Sequence, residues 1–328
     1  MSEHKKSFRE IARICEVSPA TVSRIANGVG SFTDETREKV VSILLAEGYP
    51  VQGITVSTPQ VIAAVVTDLS NELYNTVLSD LKRYLARHHY LLQIYVENEA
   101  QETWFEQLLL LRPFGILFIG TPLNRLSLSS PVPVLQVLSN NDVRYQGCRY
   151  SIQSDEYVGG QLAARELLAK NCKAPLILNN RHTSAALSPR IQGFLHEMEK
   201  AGIDSSTIPV HDGEPHKSAF NSAHDRIAYL CAKGVPFDSV FACSDWRAYG
   251  AMIALRKMNV DVPEHVKVIG FDGERVSRYC DQPFATIQQN PDMIASAALS
   301  MLLELIEGRT PAEPSVLVPV QVQTGLTI

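Results

Sequence analysis

From residue 60 onward the chain alternates between short runs that are apolar throughout and longer stretches that are apolar at every third or fourth position. QVIAAVVTDL (60–69), FGILFIG (114–120), APLILNN (174–180), DSVFACS (238–244) and KVIGFDG (267–273) have no polar face. A strand without a polar face must be covered on both sides, and a parallel sheet clothed by helices does that. Between these runs, Leu73, Val77, Leu81 and Leu85 share one side of a helix over 72–88. Further helices are expected over 102–111, after Asp155, and over 190–201, 218–233, 247–258 and 291–307. The units are too many for one comfortable sheet. The expected architecture is therefore an α/β core of two doubly wound parallel-sheet subdomains, with a strand-like SVLVPVQVQTG (315–325) near its end.

The first 49 residues obey a different rule, and read as a small all-α unit of three short helices. Phe8, Ile11, Ala12 and Cys15 make one apolar face at helical spacing. After a tight break at Glu16-Val17, Ser18 can cap a second helix with Pro19 in its favoured first-turn place, and Asn27-Gly28 ends it. Thr33 caps a third helix whose buried stripe is Val40, Val41, Leu44 and Leu45. The exposed face of the second helix carries Ser18, Ala20, Thr21, Ser23 and Arg24, small side chains beside one arginine. Such a helix can approach a major groove closely; the hydroxyls suit phosphate oxygens and the arginine suits a guanine edge or a phosphate. Lys5, Lys6, Arg9 and Arg13 stand near as phosphate partners. Any small helical bundle also places Ser, Thr and Arg outside, so residue types alone leave that alternative open.

Ser18, Thr21, Val22, Ser23, Arg24, Asn27 and Gly28, spaced S-x-x-T-V-S-R-x-x-N-G, resemble the helix-turn-helix signature of the lactose/galactose repressor family. TREKV (36–40) and GY (48–49) resemble its third helix, and the two-subdomain core resembles its periplasmic-binding-protein-like sensor. The resemblance implies a homodimeric, cytoplasmic transcription regulator that binds double-stranded operator DNA and a small-molecule effector, with a sugar as the leading ligand class. It maps base contacts to Pro19, Ala20 and Arg24, with Asn27 in the same motif. The expected organisation is a DNA-binding domain over 1–49, a linker over 50–60 and a sensor core over 61–328. Within the core, one subdomain takes 61–154 and 286–314 and the other 155–285 and 315–328. Three departures matter. Glu16 stands where the family usually has glycine. The first 49 residues carry as many acids as bases. The hinge after Tyr49 is shortened, leaving Val51 or Ile54 as substitutes for the leucine that relatives wedge into the minor groove.

Two lobes of parallel strands place a ligand at their strand ends, in the crevice between them. The resemblance assigns ligand contacts to Arg190 of SPRIQGF, Ser244 and Asp245 of SDW, Asp272 of GFDG, and Tyr74 of NELY. Asp155 and Trp246 join them on position, since each opens a helix directly after a strand. Carboxylates and a guanidinium can hold sugar hydroxyls, and an aromatic can stack on a sugar ring. Each has a plainer reading: Asp155 and Asp245 as helix caps, Tyr74 and Trp246 as packing, Arg190 and Asp272 as partners of one another.

Composition narrows the remaining classes. The chain has 328 residues, 45% of them hydrophobic and 20% charged, and a net charge of −5, which disfavours indiscriminate nucleic-acid or membrane binding by the whole molecule. The opening residues lack a secretory h-region, and no run is apolar enough to cross a bilayer. Six cysteines are scattered without a C-x-x-C pair, as expected of reduced thiols. Phosphate-loop, zinc-protease and nucleophile-elbow motifs are missing from the sequence, so neither an enzyme, a cofactor nor a metal is expected.

Overall fold

The computed structural model describes residues 5–52, 60–67, 69–96, 104–120, 132–139, 149–180 and 187–328. The chain separates into two compact units, Met1–Pro59 and Gln60–Ile328.

In the first unit, helices α1 (Phe8–Cys15), α2 (Pro19–Ala26) and α3 (Asp34–Ala46) follow their local signals. Ser7 and Glu10 form a reciprocal capping box on α1, and the Ser18 and Thr33 hydroxyls cap α2 and α3. Ile11, Val22, Val40 and Leu44 are fully buried where the three helices meet. Glu16 ends α1 in the left-handed region, at φ 60° and ψ 36°. That position is where the family usually carries glycine, and an L residue there costs roughly 1–2 kcal/mol. The segment after α3 folds back on the unit: the Gln52 amide donates to the Ala26 carbonyl at 2.6 Å. Val51 is thereby buried in the same core. This corrects the expectation that Val51 could serve as a groove wedge, because its side chain already fills the space behind α2. Ile54, the other candidate, lies outside the described residues.

The second unit runs β1 (Gln60–Val66), α4 (Glu72–Arg87), β2 (Tyr90–Val96), α5 (Trp104–Leu110), β3 (Gly115–Ile119), β4 (Val134–Val137) and β5 (Ser151–Ser154). It continues with α6 (Glu156–Ala169), β6 (Pro175–Leu178), α7 (Pro189–Lys200), β7 (Val210–His211), α8 (Ala219–Ala232), β8 (Ser239–Ala242), α9 (Asp245–Lys257) and β9 (Lys267–Asp272). The last elements are α10 (Val276–Tyr279), β10 (Ala285–Gln288), α11 (Pro291–Ile306), β11 (Ser315–Val318) and β12 (Gln321–Gln323). Two six-stranded sheets form, ordered β11-β5-β4-β3-β1-β2 and β12-β10-β9-β8-β6-β7. All pairings are parallel except β10 with β12, which is antiparallel. The interior strands β3, β6 and β8 are buried along their whole length, as their continuous apolar sequences require. Separate apolar clusters cover the two faces of each sheet.

The subdomain boundaries differ from the sequence expectation in two places. Strand β10, placed by sequence largely with the first lobe, lies in the second sheet; β11, placed with the second lobe, lies in the first. The strand-like run 315–325 is in fact two strands in different sheets. Pro319 stands between them, has no amide to give to a ladder, and marks the point where the chain changes lobes. The chain thus passes between lobes at Asp155, at Gln289-Asn290 and at Pro319-Val320.

Candidate functional site

The residues singled out from the sequence fall in two places, the face of α2 in the first unit and the strand ends of the two lobes in the second.

On α2, Pro19, Ala20 and Arg24 are exposed, and Ser23 is half-buried. The Ser18 Oγ accepts the Thr21 amide at 3.0 Å and lies 2.9 Å from the Thr21 hydroxyl. Both hydroxyls are therefore spent first on the helix start, and can reach a phosphate only with their remaining capacity. Asn27 is the C-cap of α2 and is exposed, followed by Gly28 at φ 64°. Arg9 and Arg13 are exposed on α1. Lys5 and Lys6 are held by their own unit: the Lys5 ammonium donates to the Gly48 carbonyl at 3.1 Å and sits 3.8 Å from the Tyr49 ring centre, while Lys6 pairs with Glu47. The face offered to solvent is small, non-acidic and centred on Arg24.

In the second unit, Arg190 opens α7 and is nearly buried. Its position depends on the packing of α6 against α7. A Cβ on Gly160 would lie 1.9 Å from the Arg190 carbonyl oxygen, and one on Gly193 would lie 1.9 Å from that of Tyr157. Only glycine lets the two backbones approach that closely. The guanidinium stacks 3.6 Å from the Phe271 ring centre and donates to the Cys243 carbonyl. It also donates to Glu156 at 2.6 Å and lies 3.5 Å from an Asp272 oxygen. Burial pulls its pKa down, but Glu156 and Asp272 outweigh that and keep it firmly charged.

Asp272 ends β9 at φ 119°, and the same carboxylate oxygen accepts from Gln289 at 2.7 Å. Burial is the largest influence on it and lifts its pKa to about 6 despite Arg190. Gln289 in turn accepts from Ser154 at the end of β5, so a chain of polar contacts runs from Glu156 through Arg190 and Asp272 into the first lobe. Arg190 and Asp272 are brought together, as the plainer reading of each allowed, and Arg190 has a second acid besides.

Asp245 is fully buried beneath this layer. Its oxygens accept the Glu274 amide at 2.6 Å and the Thr286 hydroxyl at 2.5 Å, and burial holds its pKa well above the carboxylate range. It does not cap α9 through its side chain, and it ties β10 to the turn after β9. Ser244 is the N-cap residue of α9 without a side-chain capping bond, and its buried Oγ has no hydrogen-bond partner among the described residues. Asp155 does cap its helix, accepting the Val158 amide at 3.0 Å. Trp246 is 47% exposed at the first turn of α9, edge-on to Tyr249, and so is not a core packing residue. Tyr74 is half-buried against the first-lobe core, with its ring over the backbone of Gly120.

Sequence reasoning passed over Glu156, Glu274, Gln289 and Arg247. Glu274 is 9% exposed, and its Oε2 has no hydrogen-bond partner among the described residues. Burial first, then the charges of Asp272 and Glu72, push its pKa up to about 8. Arg247 is buried on α9 and donates to Asn180 at 2.9 Å. The available signal was position: each of these residues lies within three of a strand's carboxyl end, except Arg247, which is one turn into a helix that starts there.

The periplasmic binding protein-like domain family matches residues 164–328. The chain belongs to that family. The match spans the part that holds Arg190, Ser244, Asp245, Trp246 and Asp272, while the three-helix head, Tyr74 and Asp155 lie before it. Whole-chain relatives include the HTH-type transcriptional regulator GalS of Salmonella typhimurium, 26% identical over 91% of this chain and 89% of that one. The HTH-type transcriptional repressor PurR of Vibrio vulnificus is 26% identical over 92% of both. Among solved structures, the lac repressor dimer bound to operator and an anti-inducer superposes with a TM-score of 0.73, at 21% identity and 99% coverage of each chain. The CelR–cellobiose complex gives 0.67, at 19% identity. The matches to these whole-chain relatives extend well beyond the periplasmic binding protein-like domain. Among the described residues, no helix is long and apolar enough to cross a membrane.

Proposed function

We propose that this protein is a cytoplasmic, ligand-responsive transcription regulator of the repressor type, which binds operator DNA through α2 and a carbohydrate-like effector between its lobes. The observation that carries this reading is the pairing of an exposed, closely approachable α2 centred on Arg24 with a sensor core whose polar residues converge on the strand ends. The relatives support it, being named as transcriptional regulators and not as enzymes. Nothing in the proposal calls for catalysis or a cofactor.

Effector binding acts through the lobes. Their contacts include Ser154 with Gln289, and Glu72 with the Arg275 side chain and amide, each 3.3 Å away. A ligand that prefers one lobe angle shifts the population toward it, and in a homodimer this changes how the two heads meet the operator. The edge strand β2, which exposes Leu91, Ile94 and Val96, supports association of two copies. Selection of bound sequences from random duplex DNA, followed by fluorescence anisotropy from 50 to 200 mM salt, tests the reading. A selected pseudo-palindrome should bind with a steep salt slope, and Arg24→Ala should weaken it about 10- to 100-fold.

The burial of Val51 favours a second reading, a ligand sensor that has lost operator binding. Failure to select any sequence, with small-molecule binding intact, would establish that reading in place of the first.

A further inference from the structure

The turn after β9 holds a buried carboxyl oxygen without a hydrogen-bond partner among the described residues. It belongs to Glu274, which is nine-tenths buried. The turn is anchored on both sides, since the Glu274 amide donates to Asp245 and its carbonyl accepts the Ser277 hydroxyl at 2.7 Å. The charges that act on Glu274 are acidic and come from both lobes: Asp272 in its own, and Glu72 at the start of α4 in the other. The nearby cations are committed elsewhere, Arg190 to Glu156 and Asp272, and Arg275 to Glu72. A second buried oxygen, the Ser244 Oγ at the N-cap of α9, also has no partner among the described residues.

We propose that the crevice is built for an effector carrying a protonated amine, an amino sugar in the first instance, whose ammonium group sits against Glu274 and whose hydroxyls use Ser244. The inference rests on reading the crevice as an effector site. A neutral sugar hydroxyl would meet the protonated Glu274 carboxyl without exchanging a proton or supplying a charge. An ammonium group brings three donors and a full positive charge for the carboxylate that Glu274 becomes, a charge that Arg190 and Arg275, held by other acids, do not supply. The free protein tolerates Glu274 because burial and its acidic neighbours keep a proton on it at neutral pH. Binding of the amine then ionises the carboxyl: the O–H bond breaks, the carboxylate pairs with the ammonium, and the proton leaves to buffer.

Isothermal titration at pH 7, repeated in phosphate and in Tris, reads both affinity and that proton. The probes are glucosamine, galactosamine and mannosamine, each beside its parent hexose. At least one amino sugar should bind at least tenfold more tightly than its parent and release close to one proton. Glu274→Gln, which keeps the shape of the protonated side chain, should lose that tenfold advantage and the proton release together. Tighter binding of a parent hexose, amine binding without proton release, an unaffected Glu274→Gln, or no amino-sugar binding at all would each overturn the inference. Operator anisotropy on the same full-length protein separates the two proposals. If a neutral ligand shifts operator affinity, the regulator reading stands and the amine reading falls. If neither operator nor any small molecule binds, the regulator reading falls as well.

Discussion

Replacing Glu274 by glutamine should make the protein more stable, and increasingly so as the pH rises. Folding moves this carboxyl from an ordinary value of 4.5 to about 8, with burial the largest cause and Asp272 and Glu72 adding to it. Between those values the folded state holds a proton that the unfolded state has lost, so unfolding is favoured as pH climbs. The slope is about 1.4 kcal/mol per pH unit from this one group, and the full window contributes about 5 kcal/mol, less whatever local relaxation recovers. Below pH 4.5 both states are protonated and the penalty vanishes; above about 8 it is fully present. Glutamine resembles the protonated side chain and never ionises. Urea denaturation followed by far-ultraviolet circular dichroism, on both proteins at pH 5, 6.5 and 8.5, reads the effect of Glu274 and its coupled acidic neighbours, since groups remote from it titrate alike in the two. The variant should match the parent within about 1 kcal/mol at pH 5 and exceed it by about 3 to 5 kcal/mol at pH 8.5. A difference that stays constant with pH would show that Glu274 is solvated or paired in the folded protein, and the account of its environment would be wrong.

Gly160→Ala puts a Cβ 1.9 Å from the backbone oxygen of Arg190, a clash no rotamer relieves, so calorimetry should show the sensor unit destabilised by about 3 kcal/mol or more. A melting temperature unchanged to within a degree would mean α6 and α7 are not so closely packed. Arg190→Ala leaves Glu156 and Asp272 facing one another without their cation, at a cost of about 3–5 kcal/mol at pH 7. Because Asp272 has a pKa of about 6, that cost should shrink at pH 5, where its carboxyl carries a proton; an equal loss at both pH values would contradict the pairing. Glu16→Gly relieves a left-handed residue, and should stabilise the head by up to about 1 kcal/mol after the added freedom of the unfolded chain is subtracted. Slower hydrogen exchange at the Val22 and Ile25 amides would report it, and faster exchange would refute it.

How much of the molecule the sequence foretells depends on how far a residue's partners lie along the chain. Ser18, Pro19 and Asn27-Gly28 bound α2 where expected because capping acts over three or four residues. Asp155 announced its helix for the same reason. The resemblance singled out Arg190 and Asp272, and the structure does place them in one cluster, but their third member, Glu156, follows a residue that drew attention as a cap. Asp245 sits in a motif that suggests an exposed loop side chain, yet it is buried under β10 because Thr286 and the Glu274 amide, remote in sequence, take both its oxygens. Glu274 gave no local sign beyond its place just after the end of β9.

The amino-acid sequence by itself determined that there would be a three-helix head, a core of parallel strands covered on both faces, and a polar residue at the end of nearly every strand. These follow from the period of the apolar pattern and from caps that work within one turn. Tertiary structure alone decided which lobe receives β10 and β11, which side of α2 Val51 fills, and which acids share Arg190. Strand partners, desolvation and ion pairing are sums over groups far apart in the chain, and no short stretch encodes them. The same is true of Glu274, whose character comes from what surrounds it and not from the residues beside it in sequence.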